Sequence, residues 1–463
     1  MTKGIFSSFR FHVFLAFIFS VLAVVVPFKD YRFQNYTGDS QGYMRVAHDL
    51  ATKGVFTDGH YAAMSDVQGP NGEGMFFAPL YPAMLAGVLA VDKTFSTMVD
   101  CYMAHEETSA REFCPQDIGY LKIVQIVLAV ISLFLVWMSA YVITGRVGAA
   151  WVSVVFASVA EAYAYYAGFI MTESLVFPLF TASLLLAVMA FKTGRLGALA
   201  GCGVMLGFLT LTRPSFIYMF YFILVMFFIF SVAGKAGWKN SLRVVLFPLM
   251  GFLLVVMPWL IRNKTVFDEL ALTKGYAPFT LEHRVAFNGM SDGELRASFI
   301  YGLPDFGDSL AKKIFVPEDY MKLEYGNPDG YYMRTTKSQW ERVNKGEKPD
   351  EGRLSEIIQQ DIFGNFYQHI LVTFSLVWRG MWVSKYWGLV TIPVFAGVFA
   401  YAVRRRWMDF LIFSLPPWFM LGFHGFTSIN VVRYNLILIP CLAIAAAFLV
   451  MAGVDRVYAR RGK

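Results

Sequence analysis

The chain has 463 residues, of which 57% are hydrophobic, 17% aromatic and only 16% charged. Charged residues make up about 25% of an average soluble domain, and here the apolar residues stand in long blocks instead of periodic stripes. This composition excludes a soluble globular protein and indicates an all-α polytopic membrane protein. The formal net charge of +7 comes from basic residues at one set of helix ends, so it does not indicate a nucleic-acid partner.

Ten apolar segments are predicted to be transmembrane helices, since about 20 residues cross roughly 30 Å of hydrocarbon. The first is expected to stay in the protein, because its flank FKDYRFQNY has no small-residue cleavage site. The ten predicted spans are residues 11–28, 119–143, 148–167, 169–190, 196–212, 214–233, 242–261, 386–403, 408–425 and 431–453.

Lysine and arginine are concentrated at one set of span ends, which the positive-inside rule assigns to the cytoplasm. The only acidic residues there are Asp409 and Asp455. The basic residues are Lys3, Arg10, Arg146, Lys192, Arg195, Lys235, Lys239, Arg243, Arg404, Arg405, Arg406, Arg456, Arg460, Arg461 and Lys463. Both termini are therefore predicted to be cytoplasmic, in a bacterial inner membrane.

We divide the chain into three parts. Residues 1–265 form an N-terminal transmembrane module with a first periplasmic loop at 29–118. Residues 266–385 form a large periplasmic loop with an interfacial helix, and residues 386–463 hold the last helices and a cytoplasmic tail.

The first loop contains two predicted juxtamembrane helices. FFAPLYPAMLAGVLAV, residues 76–91, is too short to span comfortably and is predicted to lie in the interface. Its predicted partner is GDSQGYMRVAHDLA, in which helical spacing puts one set of residues on a common face. That set is Tyr43, Val46, Ala47, Leu50 and Ala51. Cys101 and Cys114 share this loop, and the sequence leaves open whether they form a disulfide.

Ionisable side chains near membrane level gather at the outer ends of the predicted spans. They are Asp39, Glu161, Glu173, Arg213, Arg262 and Arg433. Such residues are costly near lipid and indicate a functional site. Each type also has a structural explanation: the aspartate could cap a helix, the glutamates could pair with an arginine, and the arginines could snorkel to lipid phosphates.

Six short motifs follow one another along residues 10–265 and 428–450. They are Asp39 with Tyr43 and its amphipathic helix, FFAPLYPAMLAG, TESL with Glu173, LTRPS with Arg213, PWLIRN with Arg262, and RYNLILIP with Arg433. In this order they resemble the GT-C glycosyltransferases, in particular the bacterial branch related to protein O-mannosyltransferases and the aminoarabinose transferase of lipid A. One departure matters: protein mannosyltransferases resemble one another in an Asp-Glu pair, whereas Gly38 and Ser40 flank Asp39 here. That departure argues against a protein as the acceptor.

The resemblance implies a GT-C-type bundle of about ten transmembrane helices, a polyprenyl-phosphate-linked sugar donor and a periplasmic active site. It implies that Asp39 is the catalytic carboxylate, and we predict that it acts as general base in a single inverting displacement. The sequence lacks the additional acidic pattern with which oligosaccharyltransferases hold a divalent metal, so no metal or other cofactor is expected.

The remaining site residues have predicted supporting roles. Arg213, Arg262 and Arg433 are candidates to hold the donor phosphate, because a guanidinium makes bidentate contacts with phosphate. Glu173 and Glu161 are predicted to orient an arginine or a sugar hydroxyl. Tyr43 and Arg45, on the helix that follows Asp39, are predicted to support it.

Other functions stay open at this stage. A lipid-linked sugar flippase or transporter would also have many spans, although no internal repeat is visible. An oligosaccharide polymerase or ligase would use a diphosphate-linked donor, and a non-catalytic scaffold would leave the outer charges without a role. The sequence does not identify the sugar, the polyprenol length, the oligomeric state, or whether the acceptor is a lipid, a glycan or a protein.

Overall fold

The computed structural model describes residues 9–28, 38–64, 68–105, 113–160, 162–234, 237–347 and 351–461. These residues form α-helices and no β-strand, which confirms the predicted all-α architecture. In chain order the helices are α1 (Phe9–Phe28), α2 (Gly38–Lys53), α3 (Leu80–Leu89), α4 (Lys93–Ala104), α5 (Tyr120–Thr144), α6 (Val147–Val159), α7 (Ala162–Ala167), α8 (Glu173–Thr193), α9 (Leu196–Thr212), α10 (Phe216–Ala233), α11 (Trp238–Phe267), α12 (Tyr276–Ala286), α13 (Asp292–Tyr301), α14 (Gly307–Ile314), α15 (Pro317–Tyr320), α16 (Tyr331–Asn344), α17 (Glu351–Glu356), α18 (Phe366–Met381), α19 (Tyr386–Arg405), α20 (Met408–Thr427) and α21 (Ile439–Arg461).

Eight helices among the described residues are long and apolar enough to cross a membrane, so this is a multi-pass membrane protein. They are α1, α5, α8, α10, α11, α19, α20 and the stretch Val432–Ala459, in which a 3₁₀ helix leads into α21. The other two predicted spans are shorter helices, α6 with 13 residues and α9 with 17. At the end of α6, Trp387 donates to the Phe156 carbonyl at 3.0 Å and Ser384 donates to the Ala160 carbonyl.

The packing of α9 against α11 depends on glycine. A Cβ atom on Gly203 would lie 1.9 Å from the carbonyl oxygen of Pro248, and one on Gly251 would lie 2.1 Å from that of Ala200. Helices in a membrane gain stability from such close approach of their backbones, which small residues permit. The two glycines therefore allow the 17-residue α9 to pack with its backbone against that of a 30-residue neighbour.

Helix ends that carry the basic residues lie together at one end of the bundle. Arg146, before α6, contacts Asp455 of α21 at 2.7 Å, and Lys192 of α8 contacts Asp409 of α20 at 3.0 Å. These two aspartates are the acidic residues that the sequence places on the predicted cytoplasmic side. The basic helix ends therefore lie on one side of the bundle, as the predicted orientation requires. That this side faces the cytoplasm stays a prediction.

The first loop packs at the other end of the bundle. Met44 and Ala47 of α2 are buried against Tyr81 and Leu85 of α3, so the predicted pair of helices is present. Ala51 is exposed, contrary to its predicted place on the packed face. The buried part of α2 runs from Ser40 to Ala47 and includes Met44, which the predicted set omits, whereas the end of the helix from Ala51 is exposed.

Cys101 and Cys114 form a disulfide between the end of α4 and the segment before α5. It closes a short stretch of the first loop, where the sequence had left the pairing open.

A buried arginine fastens the large loop to the membrane helices. The side chain of Arg284 in α12 is fully buried and donates to the carbonyls of Gly425 in α20 and His369 in α18, both at 2.8 Å. It also donates to Thr373 Oγ1 and Asn288 Oδ1. Burial lowers the pKa of Arg284 to about 9. Whether residues 266–385 form a domain of their own stays a prediction.

We expect Gly203→Ala to destabilise the protein, because its Cβ atom would overlap the Pro248 carbonyl and force α9 away from α11. Overpacking of this kind costs about 1–3 kcal/mol, measured as a lower midpoint of thermal unfolding in detergent. Gly197→Ala is the matched control, since no atom lies within 4 Å of a Cβ atom there, in the same helix. Equal midpoints for the two variants would show that the α9–α11 contact is not tight.

Candidate active site

A cavity of about 780 Å³ lies at the end of the bundle where the first loop and the large loop meet. Its lining comes from α2, the first loop, α12, α16 and the 3₁₀ helix Val432–Leu438. Eleven of the 21 lining residues are aromatic. Among the described lining residues, Asp39 is the one carboxylate and Arg433 the one guanidinium. A cavity of this size with few, convergent polar groups is the usual form of a ligand site.

Asp39 and Arg433 form an ion pair across the cavity lining. Arg433 Nη2 donates to Asp39 Oδ2 at 2.6 Å, although 394 residues separate them in the chain. The Asp39 side chain is 45% exposed and that of Arg433 is 23% exposed, so the pair faces the cavity. Arg433 Nε is buried without a hydrogen-bond partner among the described residues.

Local backbone geometry places both members of this pair. Asp39 lies in the first turn of α2, where the positive end of the helix dipole favours a carboxylate. Asn430 adopts a left-handed conformation with φ of 48°, and its side chain donates to the Leu376 carbonyl at 2.9 Å. Asparagine tolerates this conformation well. The turn at Asn430 begins the 3₁₀ helix that carries Arg433.

A second ion pair lies beside the first, and its carboxylate is buried while its guanidinium is 18% exposed. Glu173 is 1% exposed, and Arg213 Nη2 donates to its Oε1 at 2.5 Å. Arg213 Nε also donates to Thr172 Oγ1 at 2.6 Å. Pro214 ends α9 at Thr212 and makes the backbone of Arg213 extended. Glu173 therefore has the arginine partner that the structural explanation of this residue requires.

Tyr434 links the two ion pairs. The Cζ atoms of Arg213 and Arg433 each lie 5.4 Å from the centre of its ring, a distance at which a cation is attracted to the face of an aromatic ring. Tyr434 also lines the cavity. Sequence reasoning missed this residue, although it is part of the RYNLILIP motif, because nothing distinguishes it from the other 23 tyrosines.

Arg262 lies apart from the described cavity lining. Its Nη1 donates to the Gly74 carbonyl at 2.7 Å and its Nη2 to the Phe56 carbonyl at 3.3 Å. Its Cζ atom lies 4.7 Å from the Trp259 ring. The guanidinium thus ties the first loop to the end of α11, and its predicted contact with a donor phosphate stays untested.

The remaining predicted residues differ in position. Tyr43 lines the cavity and packs against Phe77 and Tyr81, with ring centres 5.2 and 5.1 Å away. Burial, and then the charge of Asp39, raise the pKa of Tyr43 well above its usual value. Arg45 is partly buried outside the described lining, and its Nε lacks a hydrogen-bond partner among the described residues. Glu161 lies outside the residues that the structure describes.

The large loop supplies a wall of the cavity that sequence reasoning did not find. Helix α12 contributes Tyr276, Phe279, Thr280 and His283, and α16 contributes Tyr332, Thr336 and Trp340. The loop has no motif, and only the packing of α16 against α12 brings these side chains to one surface. Burial lowers the pKa of His283 below its usual value, so its imidazole is neutral at pH 7.

A buried carboxylate holds α16 and α17 against α12. Glu282 Oε2 accepts from Arg342 at 2.5 Å and from Gln339 at 2.8 Å, and its Oε1 accepts from Arg353 at 2.9 Å. Burial alone would raise the pKa of Glu282, but the hydrogen bonds from Arg342, Arg353 and Gln339 lower it below its usual value. The carboxylate is therefore ionised at neutral pH, and it fixes the helix that carries Trp340.

Among the described residues, one group of three potential metal ligands has its ligand atoms close together: Cys101, His105 and Cys114. The two cysteines are joined to each other in this structure. A sulfur in a disulfide is not a thiolate, which is the form that binds a metal. The prediction that the protein needs no metal stays a prediction.

We expect Glu173→Gln to destabilise the fold, because it leaves the partly buried Arg213 charge without its counter-ion. Breaking one partner of a buried ion pair costs about 3–5 kcal/mol, measured by thermal unfolding in detergent. Asp455→Asn is the control, since it breaks an exposed pair with Arg146 and should change the midpoint little. A small effect of Glu173→Gln, equal to that of Asp455→Asn, would mean that water screens Glu173 despite its burial.

The sequence matches no protein-family model and no curated protein. In structure the chain is similar to the archaeal oligosaccharyltransferase AglB from Archaeoglobus fulgidus in complex with an inhibitory peptide and a dolichol-phosphate. The identity is 12%, the TM-score is 0.51, and the alignment covers 97% of this chain and 51% of that one. An Archaeoglobus fulgidus oligosaccharyltransferase tethered with an acceptor peptide gives 12% identity, a TM-score of 0.50, and coverage of 96% of this chain and 50% of that one.

ArnT from Cupriavidus metallidurans bound to undecaprenyl phosphate is 13% identical over 93% of this chain and 59% of that one. Its TM-score of 0.44 is too low to carry an argument. The chain spans about half the length of the archaeal oligosaccharyltransferase. A likeness at such low identity establishes a fold and not an activity. The chain thus shares the fold of AglB, in agreement with the GT-C-type bundle that the ordered motifs predict.

Proposed function

We propose that the protein is a membrane glycosyltransferase that moves a sugar from a polyprenyl-phosphate donor to an envelope acceptor at the periplasmic face. The observation that carries this proposal is the ion pair of Asp39 and Arg433, exposed to a cavity at one end of an apolar helix bundle. The pair combines a base with a phosphate ligand, the two groups that such a transfer requires. The GT-C fold supports the proposal, and the related AglB was solved with a dolichol-phosphate.

The donor phosphate would compete with Asp39 for Arg433. A guanidinium has five N–H donors, of which Arg433 directs one to Asp39 Oδ2 and one, from Nη1, to Met171 Sδ at 3.6 Å. When the phosphate takes over this guanidinium, the Asp39 carboxylate is released from its partner. It is then available to accept a proton from the acceptor.

The reaction is a single displacement with inversion. Asp39 removes the proton of an acceptor hydroxyl while its oxygen forms a bond to the anomeric carbon, and the bond from that carbon to the phosphate oxygen breaks. The polyprenyl phosphate leaves with the bonding electrons. Arg433 stabilises the negative charge that develops there, and it does so more strongly in a site poor in water.

The buried pair of Glu173 and Arg213 is a positioning device in this scheme. Glu173 neutralises the Arg213 charge, and both arginines contact Tyr434. Tyr434 and Arg433 therefore keep one arrangement while the phosphate binds and leaves. Arg213 is a second candidate for the phosphate, because its Nη1 has no bond to Glu173 or Thr172.

The orientation of the chain is part of the proposal. The basic helix ends would face the cytoplasm, with both termini there, and the cavity would face the periplasm. The isoprenoid tail of the donor would lie among lipids beside the bundle. No metal takes part, since Arg433 supplies the positive charge for the leaving phosphate.

We expect Asp39→Asn to lower turnover of a polyprenyl-phosphate sugar by about 10²–10⁴-fold, because the amide cannot accept the proton. Binding of the donor should persist, since the substitution frees Arg433 from its counter-ion. The measurement is turnover and binding of a panel of synthetic polyprenyl-phosphate sugars by purified protein. Asp409→Asn, at the opposite end of the bundle, is the control.

Several outcomes would contradict this mechanism. Near-full turnover by a folded Asp39→Asn variant would remove the base from Asp39. A covalent glycosyl-enzyme would contradict a single displacement. Binding without turnover, even with acceptor extracts present, would point to a transporter, and turnover of diphosphate-linked donors alone would point to a polymerase or ligase.

We expect Arg433→Gln to weaken binding of polyprenyl phosphate by about 10–100-fold, since charged hydrogen bonds contribute about 1.5–3 kcal/mol. Arg262→Gln should leave this affinity unchanged if Arg262 only ties the first loop to α11. The two dissociation constants are measured on purified protein of matched thermal stability. An equal loss in Arg262→Gln would support the phosphate contact that the sequence predicts for that residue.

A further inference from the structure

A continuous set of aromatic rings forms part of the cavity lining. We call this set the aromatic wall, and it consists of Tyr61, Phe76, Tyr276, Phe279 and Trp340. The ring of Phe76 lies 5.0 Å from Tyr61, 5.5 Å from Tyr276 and 6.5 Å from Phe279. Trp340 joins the set through Tyr61 at 6.3 Å.

The wall has a buried layer and an accessible layer. Phe76 is 1% exposed and supports the other rings from beneath, while Tyr276 is 40% exposed. Tyr61 and Trp340 are partly exposed. These accessible rings come from three separate segments: the first loop, α12 and α16. A wall assembled from separate segments, on the surface of a cavity, is suited to contact a ligand.

The cavity is almost neutral apart from the ion pair. Among the described lining residues Asp39 and Arg433 are the formal charges, and they face each other. His283 adds none at neutral pH, because burial lowers its pKa. In the proposed reaction Arg433 takes the donor phosphate. An anionic acceptor would then lack a described cation in the lining, and a cationic acceptor would compete for the base.

Hydroxyl groups are interspersed with the rings. Thr280, Thr336 and the phenols of Tyr61 and Tyr276 belong to the same lining. Thr336 Oγ1 lies 2.9 Å from His283 Nε2, so its hydroxyl has a fixed position. A ligand for this surface has flat apolar faces to stack on rings and hydroxyls at its edges to exchange hydrogen bonds.

A neutral sugar has both properties. The C–H bonds on one face of a pyranose carry a partial positive charge, which the negative face of an aromatic ring attracts. Its hydroxyls are donors and acceptors at the rim. A volume of about 780 Å³ is within the range of about 300–1,000 Å³ that ligand pockets occupy.

We infer that the acceptor is an uncharged saccharide, whose ring stacks on the aromatic wall and presents a hydroxyl to Asp39. This inference rests on the proposed function, because it names the acceptor of that same site. Trp340 is the residue whose substitution tests this role. Glu282 fixes the helix that carries Trp340 by accepting hydrogen bonds from Gln339 and Arg342. The wall would thus bind the saccharide before any chemistry occurs.

The test is a binding measurement on the purified full chain in detergent, by calorimetry or fluorescence, without donor. The probes are neutral di- and trisaccharides, the same saccharides carrying sulfate or phosphate, and a serine- and threonine-containing peptide. We expect at least one neutral saccharide to bind. Trp340→Ala should weaken that binding about tenfold or more, and Trp340→Phe should restore most of it, because the ring and not the indole N–H makes the contact.

Trp238→Ala is the matched control. Trp238 begins α11 and is 72% exposed, so its loss should leave saccharide binding unchanged. Thermal unfolding of all three variants excludes loss of the fold as the cause. Equal weakening by Trp340→Ala and Trp238→Ala would overturn the role of the wall.

Other results separate the inference from the proposed function. Preference for the charged saccharides or for the peptide would overturn the inference, as would absence of saccharide binding by a protein that turns over a polyprenyl-phosphate sugar. Saccharide binding to the wall by a protein that turns over none of the donors would overturn the proposed function and leave the saccharide site standing.

Discussion

The ion pair of Asp39 and Arg433 is the constraint on which the arrangement of the site depends. It joins the first loop to the start of the last span, 394 residues later, at a distance of 2.6 Å. Opposite charges interact strongly where water is scarce, and a charge left alone there is costly. The pair can persist half-exposed because each member sits on a rigid support, the first turn of α2 and the 3₁₀ helix after Asn430.

Around this pair, buried polar side chains add to the apolar packing that holds the two loops on the bundle. Arg284 fastens α12 to α18 and α20 through backbone carbonyls, and Glu282 fastens α16 and α17 to α12. Both side chains satisfy groups that would otherwise be buried without partners. The large loop is therefore held on two sides, and its aromatic residues keep a fixed place over the cavity.

The sequence predicted the features that depend on hydrophobicity and on strong local signals. Long apolar blocks predicted ten spans, of which eight are helices long and apolar enough to cross a membrane. The LTRPS motif marked the end of α9 next to Arg213. Sequence could not show that Arg262 reaches the carbonyls of Gly74 and Phe56, because a terminal arginine looks the same whether it binds phosphate, lipid or backbone. It could not find Tyr434 or the aromatic wall either. Those residues become neighbours only when α12, α16, the first loop and the last span pack together.

The charges at the site also explain why two substrates would need two different surfaces. The described lining is neutral in total while Asp39 and Arg433 hold each other. A phosphate that binds Arg433 adds one negative charge or more, and Asp39 then no longer has Arg433 as its ion-pair partner. A second anion would be repelled from this space, whereas an uncharged molecule held by stacking and hydrogen bonds would meet no such penalty. In the proposed reaction, the same change of partner that admits the donor would make Asp39 available as a base and would favour a neutral acceptor next to it.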